Sequence, residues 1–129
     1  MRGSPLTIST MRDIKFRAFD KIVNEILPNI QNHINDKDFA FGQMLSNVKR
    51  FKIMQFTGLT DKKGVEIYEG DIVKSVGNEE HNGMVGIFPI EFNKGMFSLS
   101  YQTIRLDYFL EYYKIEVIGN IYQNPELIK

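Results

Sequence analysis

Four carboxylates near the centre of the chain are the residues whose type and spacing come nearest to a catalytic pair: Asp61, Glu66, Glu69 and Asp71. A general acid and a general base must approach each other in space, and a hairpin through this segment could bring two of them together. Each also has a local explanation, because Asp61 and Asp71 suit turns while Glu66 and Glu69 can face water. We therefore assign no catalytic residue, and an enzymatic function is disfavoured.

A second group with metal-binding chemistry is Glu79-Glu80-His81. Two carboxylates and an imidazole are ligands of hydrolytic metal sites. Adjacent residues seldom bind one ion together, however, and the surrounding glycine and asparagines are typical of an exposed hairpin tip. The other histidine, His33, has no partner identifiable from sequence, and no Gly-x-Ser-x-Gly nucleophile motif occurs. We expect no metal and no cofactor, which leaves a metal-dependent hydrolase as the least favoured function.

Basic residues suggest a surface for nucleic acid. Lys15 and Arg17 share one face of a predicted strand, and Arg50 and Lys52 share one face of another. With Lys49 they could form a basic sheet face, on which Phe19 or Phe56 would stack against bases. The pI near 6.7 lies well below that of dedicated nucleic-acid-binding domains. Nucleic-acid binding is therefore the alternative function.

Tyrosines near the C-terminus suggest contact with protein. Leu106, Phe109, Leu110 and Tyr113 recur at spacings of three and four residues, which predicts a short amphipathic helix. This helix would carry Tyr108, Tyr112 and Tyr113. Burial of this helix accounts for two of the three tyrosines, and the remainder could anchor a partner. A strand near Pro89 is the other candidate surface, because proline is typical of edge strands or bulges. The partner would be a further copy of the chain or a host protein.

Composition sets the class of protein. The 129 residues are 43% hydrophobic, with ten Phe, six Tyr and no Cys, which fits one compact domain with a β-type interior and no disulfide or thiolate metal site. We find no signal sequence and no apolar run long enough to cross a bilayer, so we expect no membrane partner. Residues 1–52 carry nine Lys and Arg against five Asp and Glu, leaving seven against eleven afterwards. This polarity could steer the chain toward nucleic acid or bring copies together.

The pattern of the chain predicts a strand-dominated α+β fold. Residues 1–10 are typical of an expression leader. Residues 21–35 predict a short helix or an ordered loop, because their isoleucines have helical spacing but Pro28 interrupts them. Gly58, Gly64 and Gly70 mark turns. Strands are predicted over residues 14–20, 84–92, 97–101 and 115–118, and a further strand is predicted from Val48 onward.

Three blocks together resemble the YopX family of phage and prophage proteins. They are Ile14 to Asp20, Gln55 to Lys74, and Glu116 to Leu127, in that order along the chain. The resemblance implies a small phage-encoded protein without an established activity, in the cytoplasm of a bacterial host, and it carries over no catalytic residue. It also implies one domain over residues 11–129, which could form two lobes joined around 55–74.

Gly70-Asp71-Ile72-Val73 and the strands after it are similar to a small SH3-type barrel, an analogy of pattern alone. We therefore predict small, barrel-like antiparallel sheets with one or two short helices. The predicted function is a phage accessory protein that acts as a non-catalytic binding module, by self-association or by contact with a host protein.

Overall fold

The structure is a computed structural model that describes residues 13–35, 37, 39–75, 85–100 and 104–129. The predicted leader, Glu79-Glu80-His81 and Tyr101 lie outside the described residues. Within the described ranges the fold is α+β and dominated by curled antiparallel sheets, as the sequence predicted. No helix in those ranges is long and apolar enough to cross a membrane.

The first sheet has four antiparallel strands in the order β2-β1-β3-β4. They are β1 (Phe16–Asp20), β2 (Glu25–Leu27), β3 (Phe51–Thr60) and β4 (Glu66–Tyr68). A 3-10 helix (Ile30–Asn32) and the short helix α1 (Phe41–Ser46) connect β2 to β3. The alternation in the sequence set the strand faces correctly, because Ala18 lies opposite Ile53 and both pack into one apolar cluster.

Residues 21–35 form neither a regular α-helix nor a simple loop. Asp20 accepts a hydrogen bond from the Ile22 backbone N–H at 3.0 Å, which starts a turn that Asn24 completes with a φ of 60°. The chain then returns as β2, with Ile26 paired to Phe19. The four isoleucines at helical spacing thus lie in different elements and share no common face. Ile22 lies in the turn, Ile26 in β2, Ile30 in the 3-10 helix and Ile34 in the loop after it.

The second sheet has five strands in the order β8-β7-β6-β5-β9. They are β5 (Asp71–Ser75), β6 (Gly86–Asn93), β7 (Met96–Leu99), β8 (Ile104–Arg105) and β9 (Ile115–Asn120). Helix α2 (Leu106–Tyr112) lies between β8 and β9, and a 3-10 helix (Pro125–Ile128) follows β9. Helix α2 and the last strand were both predicted from their spacing.

Pro89 was predicted to mark an edge strand or a bulge, and the edge strand is wrong, because β6 lies between β5 and β7. Pro89 is paired with Ile72 of β5, and its carbonyl accepts a hydrogen bond from the Ser100 N–H at 2.8 Å. The described ladder to β7 starts at Ile90, so the missing N–H of proline falls just beyond the end of that ladder. The proline marks the end of a pairing rather than the edge of the sheet.

Both faces of the first sheet are covered. Ala18, Ile30, Met44 and Phe51 form a cluster on one face, and Phe19, Met54, Phe56 and Tyr68 form a cluster on the other. The second sheet has its own cluster, which includes Val73, Leu99, Leu106 and Phe109. Much of both faces of the first sheet is therefore core.

Gly70 is the position where the turn between the sheets depends most on glycine. Its φ is +86°, and a Cβ there would lie 3.0 Å from Sδ of Met54. We expect Gly70→Ala to lower the free energy of unfolding by about 1–2 kcal/mol, because the left-handed conformation is strained for an L side chain. Urea unfolding followed by circular dichroism measures this.

The matched control is Gly42→Ala in α1, where φ is ordinary and an added Cβ meets nothing within 4 Å. Alanine is preferred to glycine in a helix by about 1 kcal/mol, so this variant should be as stable as the wild type or more so. Equal losses in the two variants would show that conformation at Gly70 is not the cause.

Candidate functional site

Asp61, the first of the four central carboxylates, is a structural residue of the β3–β4 hairpin. Its Oδ1 accepts backbone N–H bonds from Lys63 at 2.8 Å and Val65 at 2.9 Å, and its Oδ2 accepts one from Val117 at 2.9 Å. Burial acts to raise the pKa of Asp61, but these three N–H groups outweigh it and hold the pKa below the ordinary value. Asp61 therefore fixes the turn and ties it to β9.

Asp71 joins the two sheets. Its Oδ1 accepts a hydrogen bond from Nη2 of Arg17 at 2.5 Å, and its Oδ2 accepts one from the Tyr68 backbone N–H at 2.8 Å. The Arg17 guanidinium also lies 4.5 Å from the centre of the Tyr68 ring. The side chains are 2% and 15% exposed for Asp71 and Arg17, and burial raises the pKa of Asp71. The pair is therefore a largely buried contact between the two sheets.

Glu66 and Glu69 also have structural partners. The Lys15 ammonium donates to Oε2 of Glu66, and Oε1 of Glu69 accepts the Gln55 backbone N–H at 2.9 Å. Each of the four carboxylates therefore has its own cation or backbone amide. Within the part of the chain that the structure describes, no group of three or more His, Asp and Glu residues could hold a metal ion.

The five predicted basic residues do not form one open sheet face. Lys15 and Arg17 are engaged by Glu66 and Asp71, and they lie over the rings of Phe56 and Tyr68. Phe19 and Phe56, the predicted base-stacking residues, are each only 7% exposed because they pack in the cluster on this face. The two rings predicted to stack on bases are therefore core residues.

Arg50 points away from Lys15 and Arg17. Its Nε and Nη2 atoms bind the two carboxylate oxygens of Asp20 at 2.9 and 3.0 Å, and its guanidinium lies over the rings of Phe39 and Phe51. This hydrogen-bonded pairing holds the pKa of Asp20 below its ordinary value. Lys52 lies opposite Phe19, on the face of Arg17, and its Nζ donates to the Val48 carbonyl at 2.9 Å.

A groove brings Lys49 and Arg50 together with a cation that sequence reasoning missed. It lies between the turn at 21–24 and the turn at 47–50, which are joined by the Lys21 N–H and the Arg50 carbonyl at 2.9 Å. Its volume is about 520 Å³, and we name it the turn groove; it is lined by Lys21, Ile22, Asn47, Lys49 and Arg50. Only recognition of the β1–β2 turn could have revealed Lys21.

Two of the three predicted tyrosines are exposed, rather than one. Tyr113 stacks on Phe109 with ring centres 4.5 Å apart and packs against the core. Tyr108 and Tyr112 are 52% and 39% exposed, and their ring centres are 5.1 Å apart. Helix α2 has only two turns, so Leu106 and Phe109 supply its buried contacts.

The exposed side of α2 carries two parallel rows of side chains, which we call the α2 face. Asp107 and Glu111 form the acidic row, and Tyr108 and Tyr112 form the aromatic row, each with a spacing of four residues. Asp107 also pairs with Arg105, whose Nε lies 2.8 Å from its Oδ1.

A pocket of about 370 Å³ lies next to the α2 face. It is lined by Thr57, Leu59, Met96, Phe97, Arg105, Leu106 and Asp107. Phe97 contacts Phe92, which is 52% exposed, with ring centres 5.0 Å apart. This pocket could not be predicted from local patterns, because its walls come from β3, β7, β8 and α2.

Comparison with known proteins identifies the family. The sequence profile of the YopX protein family matches residues 15–129. The chain is 34% identical over 73 residues to the SPbeta prophage-derived uncharacterized protein YopX of Bacillus subtilis (strain 168), covering 52% of this chain and 53% of that protein. The chain therefore matches about half the length of that relative.

Two crystal structures share the fold. Protein EF1440 from Enterococcus faecalis superposes with a TM-score of 0.66 at 26% identity, over 92% of this chain and all of the other. The YopX protein from Bacillus subtilis superposes with a TM-score of 0.56 at 19% identity, with the same coverage. The family match extends from β1 to the C-terminus, and the chain belongs to the YopX protein family.

Proposed function

We propose that this protein is a non-catalytic binding protein that associates with further copies of itself through the α2 face. The observation that carries this proposal is the exposure of Tyr108 and Tyr112 side by side on a helix whose opposite side is buried. Tyrosine is enriched at protein interfaces, because its ring supplies apolar area while its hydroxyl keeps a hydrogen bond. No substrate-binding arrangement of the central carboxylates competes with this function.

The surroundings of the α2 face support a contact larger than two rings. The adjacent pocket offers Leu59, Phe97 and Leu106 as apolar lining, and Phe92 extends this surface along β6. Interfaces commonly combine aromatic anchors with a neighbouring pocket that a partner residue fills. Asp107 and Arg105 would lie at the polar rim of such a contact.

The family match motivates the setting of this function. The Bacillus relative is named as prophage-derived, and we extend that origin to this chain, with the bacterial cytoplasm as its location. A host protein is the alternative partner for the α2 face. Nucleic-acid binding is the second candidate function, and the observation that favours it is the presence of Lys21, Lys49 and Arg50 around one groove.

We expect the double variant Tyr108→Ser/Tyr112→Ser to be monomeric at concentrations where the wild type associates, because the aromatic anchors are lost. Sedimentation velocity across a concentration series measures this. Ile34→Ser is the matched control, because Ile34 is 75% exposed and lies far along the chain from α2. Association of the tyrosine variant as strong as that of the control would overturn the proposal.

A further inference from the structure

The turn groove is a cationic surface with apolar edges. Lys21 and Lys49 are exposed at its rim, and Arg50 forms part of its wall. Ile22 and Val48 stand beside these cations and are 70% and 63% exposed. Asp20 neutralises Arg50, and its neighbour in the β1–β2 ladder, Glu25, is one carboxylate against Lys21, Lys49 and Lys52. The exposed side chains therefore leave the turn groove positively charged.

The α2 face has the complementary chemistry. Asp107 is paired with Arg105, so Glu111 is the carboxylate of this face that suits the lysines of the turn groove. The tyrosine rings suit both the exposed aliphatic side chains and the lysine ammonium groups. In a contact of the α2 face with itself the tyrosines would meet tyrosines, whereas the turn groove offers exposed lysines and aliphatic side chains to Glu111 and the rings. The turn groove therefore offers a surface of complementary chemistry on the same chain.

We propose that the turn groove receives the α2 face of a second copy, which gives a head-to-tail contact between copies. This inference rests on the proposed self-association and names the surface that the tyrosines meet. Such a contact uses two different surfaces, so every bound copy keeps one surface free for another copy. The assembly therefore grows with concentration or closes into a ring, instead of stopping at a two-fold dimer.

The aromatic rings near the turn groove pack in or against the core, which favours protein over nucleic acid as its occupant. Proteins that bind single-stranded nucleic acid do so with exposed aromatic side chains on which the bases stack. Phe39 and Phe51 are the rings near Arg50, and both lie in or against the core beneath its guanidinium. The exposed apolar side chains at the turn groove, Ile22 and Val48, are aliphatic, which suits the tyrosine rings of a second copy.

The test mixes two variants that each lack one surface. The groove variant is Lys21→Glu/Lys49→Glu, and the helix variant is Tyr108→Ser/Tyr112→Ser. We expect the dissociation constant for self-association to rise by about tenfold or more in each variant alone. Mixed together, they should form a 1:1 dimer of twice 15.0 kDa and no larger species, because the only intact pair of surfaces is one from each variant.

The control for charge reversal is Lys74→Glu/Lys94→Glu, which changes two exposed lysines on other elements and should associate as the wild type does. Circular dichroism confirms that each variant is folded. A groove variant that self-associates normally, while the helix variant does not, overturns the head-to-tail contact and leaves the proposed function intact. Normal association of both variants overturns both.

Fluorescence anisotropy with an oligonucleotide at low salt tests nucleic acid as the competing occupant of the turn groove. A groove variant that loses oligonucleotide affinity but keeps wild-type self-association overturns the head-to-tail contact in favour of nucleic acid. Loss of self-association with no oligonucleotide binding by the wild type supports the contact between copies.

Discussion

Asp71→Ala should lower the free energy of unfolding by about 3–5 kcal/mol, the largest loss we expect from one side chain. The substitution leaves the Arg17 guanidinium, whose side chain is 15% exposed, without its carboxylate. It also removes the acceptor of the Tyr68 backbone N–H. A buried charge and a buried amide would both be unpaired, and urea unfolding at neutral pH measures the cost.

The double-mutant cycle with Arg17→Met identifies the cause. Once the carboxylate is absent, removal of the guanidinium no longer breaks an ion pair. The loss of unfolding free energy in the double variant should therefore be smaller than the sum of the two single losses by at least about 1 kcal/mol. Glu116→Ala serves as the surface control, since its pairs with Lys62 and Lys63 are exposed and should contribute less than about 1 kcal/mol. Strict additivity of the two substitutions would contradict an inter-sheet ion pair.

Asp61→Ala should cost about 3 kcal/mol, because it removes the acceptor of three backbone N–H groups. Asp61→Asn should cost less. Its amide oxygen can keep the two bonds from Lys63 and Val65, but its NH₂ group would face the Val117 N–H without accepting from it. The loss of stability in Asp61→Asn measures the bond to β9, and the additional loss in Asp61→Ala measures the two bonds within the turn.

The stability contributed by Asp61 depends on pH in a defined direction. Its folded pKa lies below the unfolded value of about 3.9, so its contribution is fully present above that value and disappears as the pH falls through the folded pKa. Asp20 acts in the same direction. Burial raises the pKa of Asp71, so its protonation opposes this loss in the interval between its unfolded and folded pKa values.

We therefore expect wild-type stability to fall as the pH drops below about 4, with a smaller fall in Asp61→Asn. Urea unfolding of both proteins at a series of acidic pH values gives the comparison. Equal pH dependence in the two proteins would show that the Asp61 carboxylate is not held ionised by its three amides.

Local patterns in the sequence predicted local structure. Alternation identified β1, Gly64 identified the β3–β4 turn with a φ of +83°, and the spacing of Leu106 and Phe109 identified α2. The position of Pro89 was not predictable in this way. Its meaning depends on where the ladder to β7 ends, which is a property of the sheet and not of the neighbouring residues.

The partners of the central carboxylates were beyond local reasoning for the same reason. Asp71 meets Arg17 across 54 residues, and Asp61 meets Val117 across 56. The sequence correctly indicated turns at both aspartates, but no spacing rule connects them to a distant cation or amide. Their identification as inter-element contacts required the packing of the two sheets.

The candidate surfaces were predicted in part. Tyr108 and Tyr112 were singled out, although the number left exposed by α2 depended on which residues the short helix could bury. Lys49 and Arg50 were also singled out, whereas Lys21 joins them only because the β1–β2 turn lies against the turn before β3. Burial of Phe19 and Phe56 could not be foreseen, because the second face of the first sheet is covered by distant residues, including Tyr122.

Self-association through the α2 face is tested most directly by light scattering on the unmodified protein across a wide concentration range. We predict a mass that rises above the 15.0 kDa of one chain as concentration increases, and that falls back to one chain with Tyr108→Ser/Tyr112→Ser. A mass that stays at one chain for the unmodified protein at every concentration would contradict it.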